Sequence, residues 1–264
     1  MAGVEFDEGV ARALERMYGT PDVVGQRSRV LQRMELRPGE RVLDVGSGPG
    51  LLAVDLAQCV GAEGRVLGVD RSEAMIAMAR ARCAERGLDQ TRFEQADAMA
   101  LPCEDASFDA AVSTQVYEYV PDMKSALAEL HRVLRPGGRV LILDTDWDSL
   151  VWHSSDRERM ARVLCAWDDH LADPHLPATL APRLREAGFL VQQREVIPLL
   201  NPDFQEHSYS AGILRAIHAF VPGHAEVTQI EADAWAEDLH ALARNGEWFF
   251  SLNRYLFVAS KPHR

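Results

Sequence analysis

Short apolar runs alternate with helically spaced ones through the first 145 positions of the chain. The runs at 41–45 (RVLDV), 66–69 (VLGV), 91–94, 110–113 and 139–143 (RVLIL) are too short for helices and suit buried strands. The stretches at 51–59, 72–86 and 123–134 carry apolar residues at helical spacing. Strand and helix alternating at this rhythm predict a parallel sheet covered by helices on both faces. Upstream, residues 9–35 form an Arg-rich amphipathic pattern that predicts two helices broken near Gly19-Thr20-Pro21. The rhythm changes after position 146. One helix-like stretch rich in Trp and His covers 147–177, a helix over 178–187 ends at Gly188, and 189–198 reads as a strand. A polar-aromatic helical stretch follows over 206–244, and an alternating strand over 248–260 closes the chain. The pattern therefore divides the chain into an N-terminal helical lid (1–37) and an α/β domain (38–264), with helical insertions at 147–177 and 201–247 grafted onto one end of its sheet.

Composition narrows the class. With 264 residues and 47% hydrophobic positions, the chain can bury a large core without disulfides or metals. Its net charge of −12 opposes a nucleic-acid partner, since such binding is driven by neutralising phosphates. Only Lys124 and Lys261 are lysines, which reads as base composition rather than recognition. Cys59, Cys83, Cys103 and Cys165 stand far apart with no CxxC pair and read as buried small residues. Glu5, Asp7 and Glu8 stand where a signal peptide would carry Lys or Arg, and no segment approaches the roughly 18 apolar residues of a membrane span. A cytoplasmic monomer or homodimer that docks on no membrane is expected.

The chemistry concentrates in Val42-Leu43-Asp44-Val45-Gly46-Ser47-Gly48-Pro49-Gly50, a strand that enters a glycine turn at the mouth of a helix. Glycines allow positive φ and close approach of a ligand, and the helix start offers free N–H groups. Dinucleotide enzymes place GxGxxG at the same point, but here the sixth position is Leu51. Asp44 would repel a pyrophosphate and attract the ammonium of an amino-acid-like ligand. Asp70 ends the next strand, where a carboxylate can accept both ribose hydroxyls. Asp97, after the third strand, is an acceptor suited to an exocyclic amine. Leu134-Arg135-Pro136-Gly137-Gly138 is a helix-to-strand turn that needs glycine.

In this order and spacing DVGSGPG, GVD, AD and LRPGG resemble the class I S-adenosylmethionine-dependent methyltransferases, in particular the small-molecule branch similar to the ubiquinone and menaquinone biosynthetic enzymes. The resemblance is strong over 38–145. It implies a Rossmann-like fold with a seven-stranded, mostly parallel sheet whose last strand is antiparallel, and S-adenosyl-L-methionine as cofactor. It further implies that Gly46, Ser47, Gly48 and Gly50 line the methionine moiety with Asp44 behind them, and that Asp70 holds the ribose. By the same resemblance Arg71 and Met75 border the adenine, Asp97 and Ala98 address its amine, Thr114 and Gln115 complete the surface, and Tyr18 and Arg27 close over the cofactor. The branch often reads LEHVPD after strand four; this chain has Tyr117-Glu118-Tyr119-Val120-Pro121-Asp122, with Tyr119 in place of the histidine.

The resemblance implies methyl transfer to an O, N or C nucleophile of a small molecule. Tyr119, His153 and Asp146 are the candidates for a catalytic base. Trp147, Trp152 and Phe204, with His207 and Tyr209, are expected to wall and orient an apolar or aromatic acceptor at the sheet's ligand-binding end. Asp144, Asp146 and Asp148 invite a metal reading, but Ser113-Thr114-Gln115 at the end of strand four supplies no acid, so no metal is expected. Alternatives from other classes are a cofactor-binding protein with other chemistry, such as a sulfonium-assisted cyclisation, an RNA or protein methyltransferase, and a non-catalytic sensor.

Overall fold

The computed structural model describes residues 8–263; Glu5 and Asp7, and with them the start of the expected lid, lie outside these residues. Strands β1 (Arg41–Val45), β2 (Arg65–Asp70), β3 (Thr91–Gln95), β4 (Phe108–Thr114) and β5 (Leu134–Thr145) pair in parallel in the order β3-β2-β1-β4-β5. Helices α3 (Leu51–Val60), α4 (Glu73–Glu85) and α5 (Met123–Val133) make the crossovers. Burial of both strand faces explains why these runs are nearly continuous in apolar residues. The Arg135-Pro136-Gly137-Gly138 segment enters β5 as an irregularity in its pairing with β4, with Gly137 at φ +78°.

The sheet continues through β8 (Phe250–Ser260), which runs antiparallel to β5 and to β7 (Leu190–Asn201). Two reversals leave β7 parallel to β5. Thr145 and Asn201, after which the two insertions begin, therefore lie at the end of the sheet where β1, β2 and β4 terminate. An eighth strand, β6 (Val151–Trp152), pairs with the start of β8 and is additional to the seven expected.

The insertions are more broken than the sequence pattern suggests. In place of one helix over 147–177 stand a 3-10 turn at Trp147–Ser149, β6, and α6 (Arg157–Asp168), which starts at its N-cap Asp156. The helix expected over 178–187 is α7 (Leu176–Glu186). Residues 206–244 hold α8 (Tyr209–Phe220) and α9 (Gln229–Arg244), interrupted at Pro222-Gly223 and capped by Ser208 and Thr228. α6, α8 and α9 share a second hydrophobic core with Trp147, Trp152, Trp167, Trp235 and Trp248, distinct from the cores on the two sheet faces.

Trp152 belongs to that core rather than to an acceptor pocket. Its ring meets Trp235, Trp248 and Phe250 edge-on at centroid distances of 5.6, 5.5 and 4.9 Å. The cause is β6: strand alternation turns Trp152 inward and leaves Val151 and His153 exposed. Helices α1 (Glu8–Tyr18) and α2 (Pro21–Met34) precede the sheet. Arg29 and Arg33 of α2 both grip Glu195 of β7, at 2.5 and 2.6 Å. Cys59 and Cys165 are exposed rather than buried. Among the described residues no helix is long and apolar enough to cross a membrane.

Truncation at Trp152 tests its placement in the core. Trp152→Ala should lose about 3–5 kcal/mol of unfolding free energy in urea denaturation; unchanged stability would remove Trp152 from the core.

Candidate active site

The ends of β1, β2 and β4 open on a cavity of about 970 Å³. Its floor is the turn after β1, where the N–H groups of Gly46 and Ser47 both donate to the Val69 carbonyl, at 2.8 and 3.0 Å. Gly46 sits at φ +72°, and a Cβ there would come within 2.1 Å of Val116. Asp70 is held from two sides: the Gly48 N–H donates to Oδ2 and the Ser72 N–H to Oδ1, each at 2.9 Å. Each oxygen keeps a lone pair for a second donor, and burial raises the carboxyl above its ordinary value against these bonds. Arg71 reaches Asp97 at 3.6 Å, and the Met99 N–H donates to Asp97 Oδ1 at 2.8 Å.

Behind the turn stands Asp44, 1% exposed, with Oδ2 unpartnered. Burial, reinforced by Asp70, pushes it up to about 7. A buried acid without a partner is costly, and a cationic group delivered to the turn would compensate it. The Ser47 hydroxyl is unpartnered as well. The orphaned oxygens, the glycine cradle and the pre-oriented Asp70 fit a ligand with an ammonium at one end and a ribose at the other.

The other half of the cavity is built by different elements. Tyr18 from α1, Val23 and Gln26 from α2, Tyr119 and Val120 after β4, His170 and Leu171 after α6, and Arg254 from β8 line it. Arg254 is 1% exposed. Its guanidinium donates to Gln26 Oε1 and lies 4.7 Å from the Tyr209 ring centroid, while Nε has no partner. Burial lifts Glu118 to about 7, with Arg254 opposing, and burial with Glu118 beside it raises Asp144 well above its ordinary value. Asp144 accepts the Val116 N–H at 2.9 Å and so fixes the turn at Tyr117–Tyr119. Tyr119 keeps 36% of its surface exposed, yet desolvation of its hydroxyl, with Glu118 and Tyr18 nearby, raises the phenol well above its ordinary value, so it is no proton acceptor near neutral pH.

Of the residues expected at the cofactor, Tyr18, Arg27, Gly46, Ser47, Gly48, Asp70, Arg71, Met75, Asp97, Ala98, Thr114 and Gln115 line this cavity, and Asp44 lies behind it. Arg27 is committed within the protein, donating to the Tyr18 carbonyl at 2.8 Å and pairing with Asp55. Gly50 does not line the cavity; at φ +78° it lets α3 approach α4, where a Cβ would meet Ala79 at 2.8 Å.

The expected acceptor and base residues are mostly elsewhere. Tyr119 lines the cavity, but His153 and His207 are exposed outside it. Asp146 caps the turn at Trp147–Ser149 and pairs with His175 at 3.2 Å, with Asp148 at 3.4 Å from the same imidazole. This ion-paired group, whose ligand atoms lie within 4.8 Å of one another, is also off the cavity. Trp147 stands behind His170, and Tyr209 beneath Arg254. Phe204 lines a separate cavity of about 300 Å³ with His240 and Trp248.

Three polar residues of this second half were not among the expected site: Gln26, His170 and Arg254. Arg254 had a legible signal, because period-two alternation in FSLNRYLFVAS places it on the buried face with Leu252 and Leu256. Gln26 had none beyond its place on the apolar face of α2.

Residues 36–197 match the family described as a methyltransferase domain. The chain belongs to the class I S-adenosylmethionine-dependent methyltransferases. It is 33% identical over 251 residues to an uncharacterised 37.1 kDa protein of a transposon from Streptomyces fradiae, covering 93% of this chain and 70% of that protein. It is 38% identical over 172 residues to the demethylmenaquinone methyltransferase of Lactococcus lactis, covering 65% of each. The chain spans between 51% and 65% of the length of the demethylmenaquinone methyltransferases it matches. Among solved structures, the 4+2 cyclase SpnF superposes with a TM-score of 0.61 at 25% identity, over 91% of this chain and 82% of that one. The cofactor of this methyltransferase is S-adenosylmethionine.

A pH-linked affinity follows from Asp44. Its raised folded value means that its contribution to stability is complete below the unfolded value of 3.8 and is lost as pH rises through about 7. A cationic ligand group beside it favours the carboxylate, so binding releases a proton. S-adenosylhomocysteine should bind about tenfold more tightly at pH 8 than at pH 6 by calorimetry. Asp44→Asn should flatten that dependence and raise the thermal midpoint of the free protein more at pH 8 than at pH 4.

Proposed function

We propose that the protein methylates a nucleophilic atom of a small, largely apolar or aromatic molecule held between the lid helices and the helical insertions. The observation that carries this reading is the continuity of the cavity, which runs from the Asp70 carboxylate to a wall of Val23, Tyr119, Val120, His170 and Leu171. Val23, Val120 and Leu171 offer apolar area to a ring system, and the few polar groups among them, His170 and Arg254 included, would orient it. The acidic balance of the chain supports a small acceptor over a polyphosphate.

Bound S-adenosylmethionine supplies an already activated methyl group whose positive charge disappears on transfer. The protein's task is then to hold the acceptor in line and exclude water. Asp70 receives the ribose hydroxyls, Asp97 and Ala98 the adenine amine beside Arg71 and Met75, and the turn at Gly46–Gly48 the methionine end in front of Asp44. Helices α1 and α2 act as the lid: Arg82 of α4 pairs with Glu15 of α1 and donates from Nε to the Pro49 carbonyl at 2.7 Å, tying lid and glycine turn together. α6, α8 and α9 act as the cap.

A second reading is a reaction without methyl transfer, favoured by the likeness to a cyclase at 25% identity over 91% of the chain. Both readings use the same cavity and differ in product. Release of S-adenosylhomocysteine in step with acceptor consumption supports methylation; acceptor turnover with the cofactor intact supports the alternative.

Asp70→Ala is expected to weaken S-adenosylmethionine binding tenfold to a hundredfold, about 1.5–3 kcal/mol for a charge-assisted contact. Unchanged affinity by calorimetry would displace the ribose from Asp70.

A further inference from the structure

Tyr119 occupies the position where related sequences often carry histidine, and the fold brings another imidazole beside it. The His170 ring centroid lies 5.7 Å from that of Tyr119, although the residue comes from the first insertion. The segment that carries it is docked on the Tyr119 turn by the N–H groups of Ala172 and Asp173, which donate to the Glu118 carbonyl at 2.9 and 3.0 Å.

The geometry of the ring defines its protonation. Nδ1 lies against the Trp167 carbonyl oxygen, an acceptor only, so Nδ1 carries the hydrogen and Nε2 presents a lone pair. Nε2 is buried and has no partner in the protein. The ring cannot turn freely: Trp167 lies over it at 3.7 Å between centroids, with Trp147 and Phe220 edge-on at 5.9 and 5.7 Å. His170 is 6% exposed and lines the cavity. Burial holds it down to about 4 against the Trp167 hydrogen bond, so it is neutral at physiological pH. Arg254 lines the same cavity and brings a positive charge to the half that holds His170.

We propose that His170 Nε2 is the base that takes the proton of the acceptor, and that the acceptor is therefore a hydroxyl-bearing aromatic molecule, a phenol or an enol. The proposal rests on the acceptor reading above. The acceptor O–H bond breaks, its proton goes to Nε2, and the oxygen lone pair forms the new bond to the methyl carbon. The C–S bond breaks with its electron pair kept by sulfur, which becomes a neutral thioether. The imidazolium then returns its proton to solvent as product leaves.

The test uses 2-naphthol and naphthalene, which share a ring system and differ in the hydroxyl, with binding read by tryptophan fluorescence in the presence of S-adenosylhomocysteine. The wild type should bind 2-naphthol about tenfold more tightly than naphthalene. His170→Phe should erase the preference while keeping naphthalene and S-adenosylhomocysteine affinity. With S-adenosylmethionine, it should lower formation of the methyl ether on the order of a hundredfold. A preference retained in His170→Phe overturns the proposal, as does bound 2-naphthol that yields no ether in the wild type. Nitrogen NMR of the unsubstituted protein reads the same contact should the variant fail to fold. Nε2 should be unprotonated at pH 7 and shift with 2-naphthol but not with naphthalene; a protonated Nε2 overturns the assignment. If neither compound binds the wild type, the apolar-acceptor reading itself fails, whereas equal binding of both sinks only the role of His170.

Discussion

Arg254 is a positive charge with almost no exposure, and the elements around the site are organised about it. It enters from β8 between Thr145 of β5 and Ile197 of β7, its neighbours in the sheet register. Gln26 brings the second lid helix to its guanidinium, Tyr209 brings the cap beneath it, and Glu118 answers its charge from the turn after β4. A buried cation must be compensated from several sides at once, and removal of one partner from such a set typically costs about 3–5 kcal/mol. Lid, cap, turn and sheet therefore meet at one residue, and the acceptor half of the cavity exists because they do.

The cofactor half obeys the opposite electrostatic rule. Asp44 and Asp70 gather buried acidity at the ends of β1 and β2, where burial raises both carboxyls. The cavity thus runs from an acidic end to an end holding Arg254. Under the proposed function a cationic cofactor sits at the first and an acceptor oxygen that loses its proton at the second.

The sheet, the glycine turn and the acids at the strand ends were legible because each follows from short-range chemistry: strand length, the need for positive φ at Gly46, the period between a strand and its terminal carboxylate. The insertions were less so. Trp152 follows a strand end, the place where α/β proteins bind ligands, yet a two-residue strand turned it into the cap core. That strand is too short to leave a periodic signal. His153 and Asp146 sit near the same strand end, and their side chains leave toward solvent and toward His175. His170 reads in the sequence as one histidine in an aromatic helix. Its unpartnered Nε2 depends on the helix ending at Asp168 and on a backbone docked to Glu118, both tertiary facts. Arg254 could have been found by counting alternate residues along β8.

A crystal structure with S-adenosylhomocysteine tests the central claim, that one continuous cavity holds the cofactor at its acidic end and faces the acceptor at its other. The account predicts ribose hydroxyls on the Asp70 carboxylate, the amino group in front of Asp44, and the thioether sulfur opening toward Tyr119, His170 and Arg254. A ligand bound in reverse, or with its sulfur directed away from those three residues, would contradict it.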